Sequence, residues 1–283
     1  MAIALKMREL IIHTLVLLVT LTSASAVSTD TAKLLYTDVY VMEDALIGGQ
    51  GITTDGEYYY TSGTITAVNL TAIAKRSVKD GKIVSKNINP LPSVCTERGN
   101  NHIGGISYYN GKIYAPVEGK EGDGSTSCIV TFDAETLEAE NVYDLPEEQF
   151  PDGVPWCAVD GSTGLLYASM WDTTKTIYVY DTENDMAFVK ALTLSESIRR
   201  IQGGEFFDGT LYLSQDSNRD GAIRKILAVD VTSGEVSVKM ERDIGNEDYE
   251  AEGMTFTKTE NGVVLSVLDY NKTIGIFLHH YEF

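Results

Sequence analysis

Four carboxylates, Glu118, Asp172, Asp216 and Asp269, occupy the same place in four successive copies of one sequence pattern. Acids gathered at close range raise one another's pKa or recruit a hard cation. The first outcome supplies a proton donor, the second a Lewis acid. Oxygen ligands in a chain with few histidines favour Ca2+ or Mg2+ over zinc. Asp at a strand end also caps turns through backbone amides two residues on. A ring of acids and a row of turn caps are therefore both readings of these positions.

A second set opens the first run of each copy: Gln50, His102, Pro155 with Trp156, Gln202, and Glu250 with Glu252. His102 lies in Asn100-Asn101-His102-Ile103-Gly104-Gly105, where glycines allow close approach of a ligand. Its chemistry is that of a general base, or of a hydrogen-bonded wall residue. Glu250 and Glu252 are two apart on an expected strand and face one side. In a confined space one of them holds a proton, or both bind a metal. Glu252, which aligns with Gln50, is the expected inward residue, and His102 and Glu252 are the expected catalytic pair. Gln50, Trp156, Trp171, Arg200 and Gln202 are the expected substrate contacts. One local motif, Asp216-Ser217-Asn218-Arg219-Asp220-Gly221, matches the first half of a calcium loop, with Leu227 where the closing Glu would stand. The expected metal set is thus Asp216, Asn218 and Asp220, with Glu118, Asp172, Glu250 and Asp269 around the ring.

The elements that must position these residues repeat five times. The copies begin at Gln50, Gly104, Pro155, Gly203 and Glu252, with lead positions Gly51, Gly105, Trp156, Gly204 and Gly253 spaced 54, 51, 48 and 49 residues apart. Each copy is an apolar-alternating run, a tight polar turn and a second run, which is a hairpin signature. A second pair of strands follows in most copies. A period of about 50 with strand-only content predicts an all-β, five-bladed β-propeller of four-stranded blades. The fifth copy runs out after its third strand, so the segment Lys33–Glu43 is expected to complete the last blade and close the ring.

Lys6 and Arg8, an apolar core at Leu10–Leu21 and Ala24-Ser25-Ala26 form a secretory signal peptide, which predicts a leader at 1–26 and one propeller domain over 27–283. The core is short for a spanning helix. A formal net charge of −19 disfavours nucleic acid and anionic membranes as partners. The expectation is a secreted monomer with a small-molecule or glycan ligand. Of three cysteines, Cys95 and Cys128 belong to links at the same end of the second blade and are the expected disulfide; Cys157, inside a strand, is left free. Asn69-Leu70-Thr71 and Asn271-Lys272-Thr273 are glycosylation candidates. No nucleophile elbow, C-x-x-C, H-E-x-x-H or phosphate-binding glycine loop is present.

The repeats resemble those of secreted propellers that include gluconolactonase-like and related calcium-dependent hydrolases. That resemblance implies a channel-mouth site, with Glu252 in the place of the glutamate ligand of those enzymes. Five-bladed propellers also include glycosidases, nucleotidases, plant-type glutaminyl cyclases, which QGITTDGEYYYTSG resembles, and lectins. A lectin of this kind would repeat its site in every blade. Here the mouth residues differ from blade to blade, which favours a metal-assisted hydrolase over a non-enzymatic binding module.

Overall fold

Alternating Tyr, Ile, Val and Thr, with Asp-led turns between them, fold each copy into an antiparallel sheet. The turns repeat one device: Asp55, Asp133 and Asp230 each accept two backbone amides from the residues two and three ahead. The computed structural model describes residues 30–40, 47–65, 68–119, 127–217, 223–244, 249–271 and 275–283. The expected leader, Asn218 and Asp220 lie outside the described residues.

Five sheets make a five-bladed β-propeller. Blade 1 runs Gly51–Thr54, Tyr58–Ile65, Leu70–Ser77 and Ile83–Ile88 from the axis outward. Blade 3 runs Trp156–Asp160, Leu165–Ser169, Thr174–Asp181 and Ala187–Ile198, and blade 4 Ile201–Phe207, Thr210–Gln215, Ile223–Val229 and Val236–Asp243. In blade 2 the inner strand is split into Asn100–Ile103 and Ser107–Tyr109, followed by Lys112–Gly119, Cys128–Asp133 and Ala139–Asp144. The apolar core lies between blades: Tyr60, Ile73, Ile103 and Phe132 pack in one interface, and Trp156, Ile177, Leu211 and Leu213 in another.

The inner strands converge until backbone meets backbone. Gly105 donates its amide to Pro155 O and accepts from Cys157 N, and Gly253 donates to Gln50 O, at 2.8–3.0 Å. A Cβ on Gly253 would stand 2.6 Å from the Ile52 nitrogen. Only glycine permits that approach. In blade 3 the lead position carries Trp156, and a Cβ on Gly204 would stand 2.7 Å from its indole. Trp156 is wholly buried and donates Nε1–H to Ser169 Oγ at 3.1 Å. The expectation that it contacts substrate is therefore corrected: its ring fills an interblade space that the smaller lead glycines leave elsewhere.

Closure follows the sequence expectation. Lys33–Tyr40 pairs antiparallel with Gly275–Glu282 and completes blade 5, whose other strands are Tyr249–Thr259 and Gly262–Asn271. In addition, Asp30–Thr31 pairs in parallel with the outer strand of blade 4. A Ser–His–Asp row latches the closing strand: Ser266 Oγ lies 2.8 Å from His280 Nδ1, and His280 Nε2 lies 3.2 Å from Asp38 Oδ2. Tyr36 stacks on the imidazole. Ser266 is wholly buried, so the row is a fastening rather than a catalytic triad.

Two covalent expectations are corrected. Cys95 and Cys128 do come together, but as free thiols with sulfurs 3.8 Å apart, beyond the roughly 2.05 Å of a disulfide. Of the two sequon asparagines, Asn69 is exposed, whereas Asn271 is 2 % exposed and leaves no room for a glycan.

Burial lowers the His280 pKa, opposed by Asp38 and reinforced by His279. The unfolded chain therefore takes up this proton first, near pH 6.5, and the folded state loses stability as pH falls below that value. His280→Leu should lower the melting temperature by several degrees, since Ser266 is left unpaired at a cost of about 1–3 kcal/mol. It should also flatten the decline in melting temperature below about pH 6.5; parallel declines in both proteins would remove His280 as its source.

Candidate functional site

At one mouth of the channel the starts of the inner strands and the ends of the second strands enclose a cleft of about 370 Å³. Gln50, His102, Pro155, Gln202, Glu250 and Glu252 come from the first group, and Glu118, Trp171 and Asp172 from the second or just beyond it. Residues up to 202 apart in the chain meet here because each blade delivers the same repeat position to the axis. Beneath the cleft the glycine contacts draw the inner strands together.

A hydrogen-bonded chain runs around one side of the mouth. His102 Nδ1 stands 3.3 Å from Glu118 Oε1. His102 Nε2 lies 2.7 Å from Gln50 Oε1, and Gln50 Nε2 donates to Glu252 Oε1 at 3.3 Å. Because the amide oxygen of Gln50 only accepts, Nε2 of His102 carries the proton. Nε2 is thus engaged and positions Gln50, whereas Nδ1, buried and facing Glu118, makes no hydrogen bond. Gln202 Nε2 donates to Glu250 Oε1 at 3.3 Å on the other side.

Glu252 is 3 % exposed. Burial pushes its carboxyl well above the usual range, and Glu250, Asp216 and Asp269 push it further, against the opposing bond from Gln50. Glu250, two residues earlier, is half-buried. The two carboxyls therefore sit in unlike environments at one mouth, which is how proteins divide acid and base roles.

The expected ring of four acids divides into two pairs. Glu118 and Asp172 line the cleft, and Asp172 also caps the Thr173 amide. Asp216 and Asp269 turn into the blade 4–blade 5 interface. Asp216 pairs with Arg200 and, at 3.4 Å, with Arg224, and accepts the Ala251 amide. Asp269, with no exposed surface, takes two bonds from Arg242 at 2.8 and 3.1 Å and one contact from His279 at 2.8 Å. Arg242 and His279 hold its carboxyl below the usual range despite burial. Arg200 reaches the mouth only through Trp171, over whose ring its guanidinium lies at 4.7 Å. Among the described residues no three His, Cys, Asp or Glu side chains are placed to share one metal ion. Asp216 and Asp269 are committed to arginines, Asn218 and Asp220 lie outside the described residues, and no step is derived through a cation.

Thr64 and Asp152 also line the cleft and were missed. Thr64 follows Gly63, the residue that the repeat aligns with the four acids. Asp152 comes from the loop before the third inner strand, outside the repeat, and the Asp-Gly pair at Asp152-Gly153 was its only signal.

No protein-family model matches the chain, and no curated protein is similar to it in sequence. Its similarity to solved structures lies in the fold. An exo-1,5-α-L-arabinanase from a bovine ruminal metagenomic library superposes with a TM-score of 0.54 at 14% identity, covering 84% of this chain and 94% of that one. The RS223 β-xylosidase gives 0.54 at 10% identity, covering 86% and 94%. The native arabinanase of Bacillus subtilis gives 0.53 at 15% identity, covering 83% and 94%. At these identities the likeness is one of architecture, and the gluconolactonase-like kinship read from the repeats has no counterpart among these three.

Further along the channel, Glu205 of the fourth inner strand accepts hydrogen bonds from Thr53 and Thr255 at 3.1 and 3.4 Å. Burial pushes its carboxyl up to about 8. The folded state then keeps a proton that the unfolded state releases near pH 4.3, so stability falls as pH rises from there to about 8. Urea denaturation of Glu205→Gln should show a stability advantage over wild type that grows between about pH 5 and pH 9. A constant difference across that range would place the proton elsewhere.

Proposed function

We propose that the chain is a hydrolase of glycosidic bonds, acting on a glycan or a small glycoside at the channel mouth. The observation that carries this reading is the pairing of a deeply buried Glu252, whose carboxyl burial pushes well above the usual range, with a half-buried Glu250 in one asymmetric cleft. Glycoside hydrolysis needs one carboxyl to give a proton to the leaving oxygen and one carboxylate to receive the proton of water. The arabinanase and xylosidase neighbours share the fold, which lends the reading an architectural precedent only.

In this scheme Glu252 protonates the glycosidic oxygen as its bond to the anomeric carbon breaks. The oxygen of water bonds to that carbon, and its proton passes to Glu250. Proton return from Glu250 to Glu252 resets the pair. Gln50, held by His102, fixes Glu252, and Gln202 fixes Glu250. Trp171, backed by Arg200, offers an indole against which the apolar face of a sugar ring packs. We also place the enzyme outside the cell, behind the leader expected at 1–26.

The test is a panel of aryl glycosides with arabino-, xylo- and gluco-oligosaccharides. Glu252→Gln should lower kcat by about 10²–10⁴-fold with the fold intact. His102→Ala should alter the pH profile of kcat more than KM, as a positioning residue would. Full activity in Glu252→Gln, or no hydrolysis across the panel, would overturn the reading and leave a binding module.

A further inference from the structure

A second cavity lies between blades 1 and 2, of about 420 Å³, and its walls are Asn69, Thr71, Asn89, Asn100 and Asn101 with Thr96 at the short helix Ser93–Thr96. Leu91 adds an apolar patch. Among the described residues no charged side chain lines it, although the chain carries 41 acidic and 22 basic residues. Such walls hold neither a cation nor an anion well. They suit a neutral ligand that both donates and accepts hydrogen bonds, which is the chemistry of sugar hydroxyls.

The backbone is shaped to present these amides. Asn69 and Asn89 adopt left-handed conformations, with φ of 50° and 54°. Asn89 Oδ1 accepts the Thr71 amide at 3.1 Å, and its side-chain NH₂ has no partner among the described residues. Asn101 Nδ2 donates to Asn69 Oδ1 at 3.0 Å, while Asn101 Oδ1 is buried with no partner. The register shift between Asn100 and His102 makes Asn101 the extra residue of a bulge, a device that re-aims a side chain. It separates Asn101, which faces this cavity, from His102, which faces the mouth.

We propose that this amide-lined cavity is a binding site for a neutral carbohydrate, separate from the channel mouth. The proposal does not depend on the mouth being catalytic. Its sugar has two sources of the same chemistry: a free oligosaccharide, or the chain's own glycan if Asn69, exposed at the rim, is modified.

Titration calorimetry with xylotriose, cellotriose, mannotriose and chitotriose tests it, using unglycosylated protein from a bacterial host. At least one should bind at millimolar strength, and Glu252→Gln should bind it as wild type does. Asn89→Asp keeps the acceptor for Thr71 and tolerates the backbone conformation, but removes the NH₂ donor and adds charge. Thr96→Phe, at an exposed position, fills the cavity. Each should weaken binding at least tenfold with the melting temperature within a few degrees of wild type. Protein from a eukaryotic secretory host that carries a glycan on Asn69 and refuses the trisaccharide would uphold the site and identify its occupant. No binding by any of the four sugars to the unglycosylated protein, or binding lost in Glu252→Gln and kept in both cavity variants, would overturn the proposal.

Discussion

The close approach of five inner strands at the axis is the constraint on which the rest of the molecule depends. Backbone hydrogen bonds from Gly105 to Pro155 and from Gly253 to Gln50 tie neighbouring blades where no Cβ would fit. Side chains add to the stitching: Ser62 donates to Gly104 O, and Ser107 accepts the Val159 amide. Because the contraction lies just below the strand starts, Gln50, His102, Gln202 and Glu252 are forced into one small cleft. Trp156 in blade 3 breaks the repeat without breaking the ring, since Gly204 of blade 4 yields the space its indole needs.

Charge is distributed by the same geometry. Blade 4 contributes Arg200, Arg224 and Arg242, and these neutralise Asp216 and Asp269 at the interface with blade 5. Buried pairs of this kind do not guarantee stability, but a charge left without its partner there is costly. Their consequence for the mouth is specific. Two of the mouth acids are drawn into the interface, and among the described residues Glu252 is left buried beside Glu250 without a lysine or arginine partner in the cleft. A carboxyl in that position is stabilised in its protonated form.

The architecture was legible because hairpin periodicity and a fixed repeat length are local signals: five blades and closure by the strand from Lys33 both follow from them. Mouth membership was legible for the same reason, since Gln50, His102, Glu118, Asp172 and Gln202 could be aligned by repeat position. Side-chain direction was not. Asp216 and Asp269 share the repeat position of Glu118 and Asp172, yet the arginines of blade 4 draw them away from the axis. Trp156 aligns with small lead residues and gives no sign that its ring turns into an interblade space. The Asp30–Thr31 pairing and the amide-lined cavity were invisible for a further reason: both join segments from two blades, and no periodicity reports such a junction.

The account turns on one proton, that of Glu252. Infrared difference spectra between wild type and Glu252→Gln at neutral pH, with glutamate carboxyl groups isotopically labelled, measure it directly. The account predicts a protonated carboxylic acid C=O band in wild type that is missing from the variant, while the Glu205 contribution cancels between the two. A difference spectrum containing only ionised carboxylate bands would contradict it.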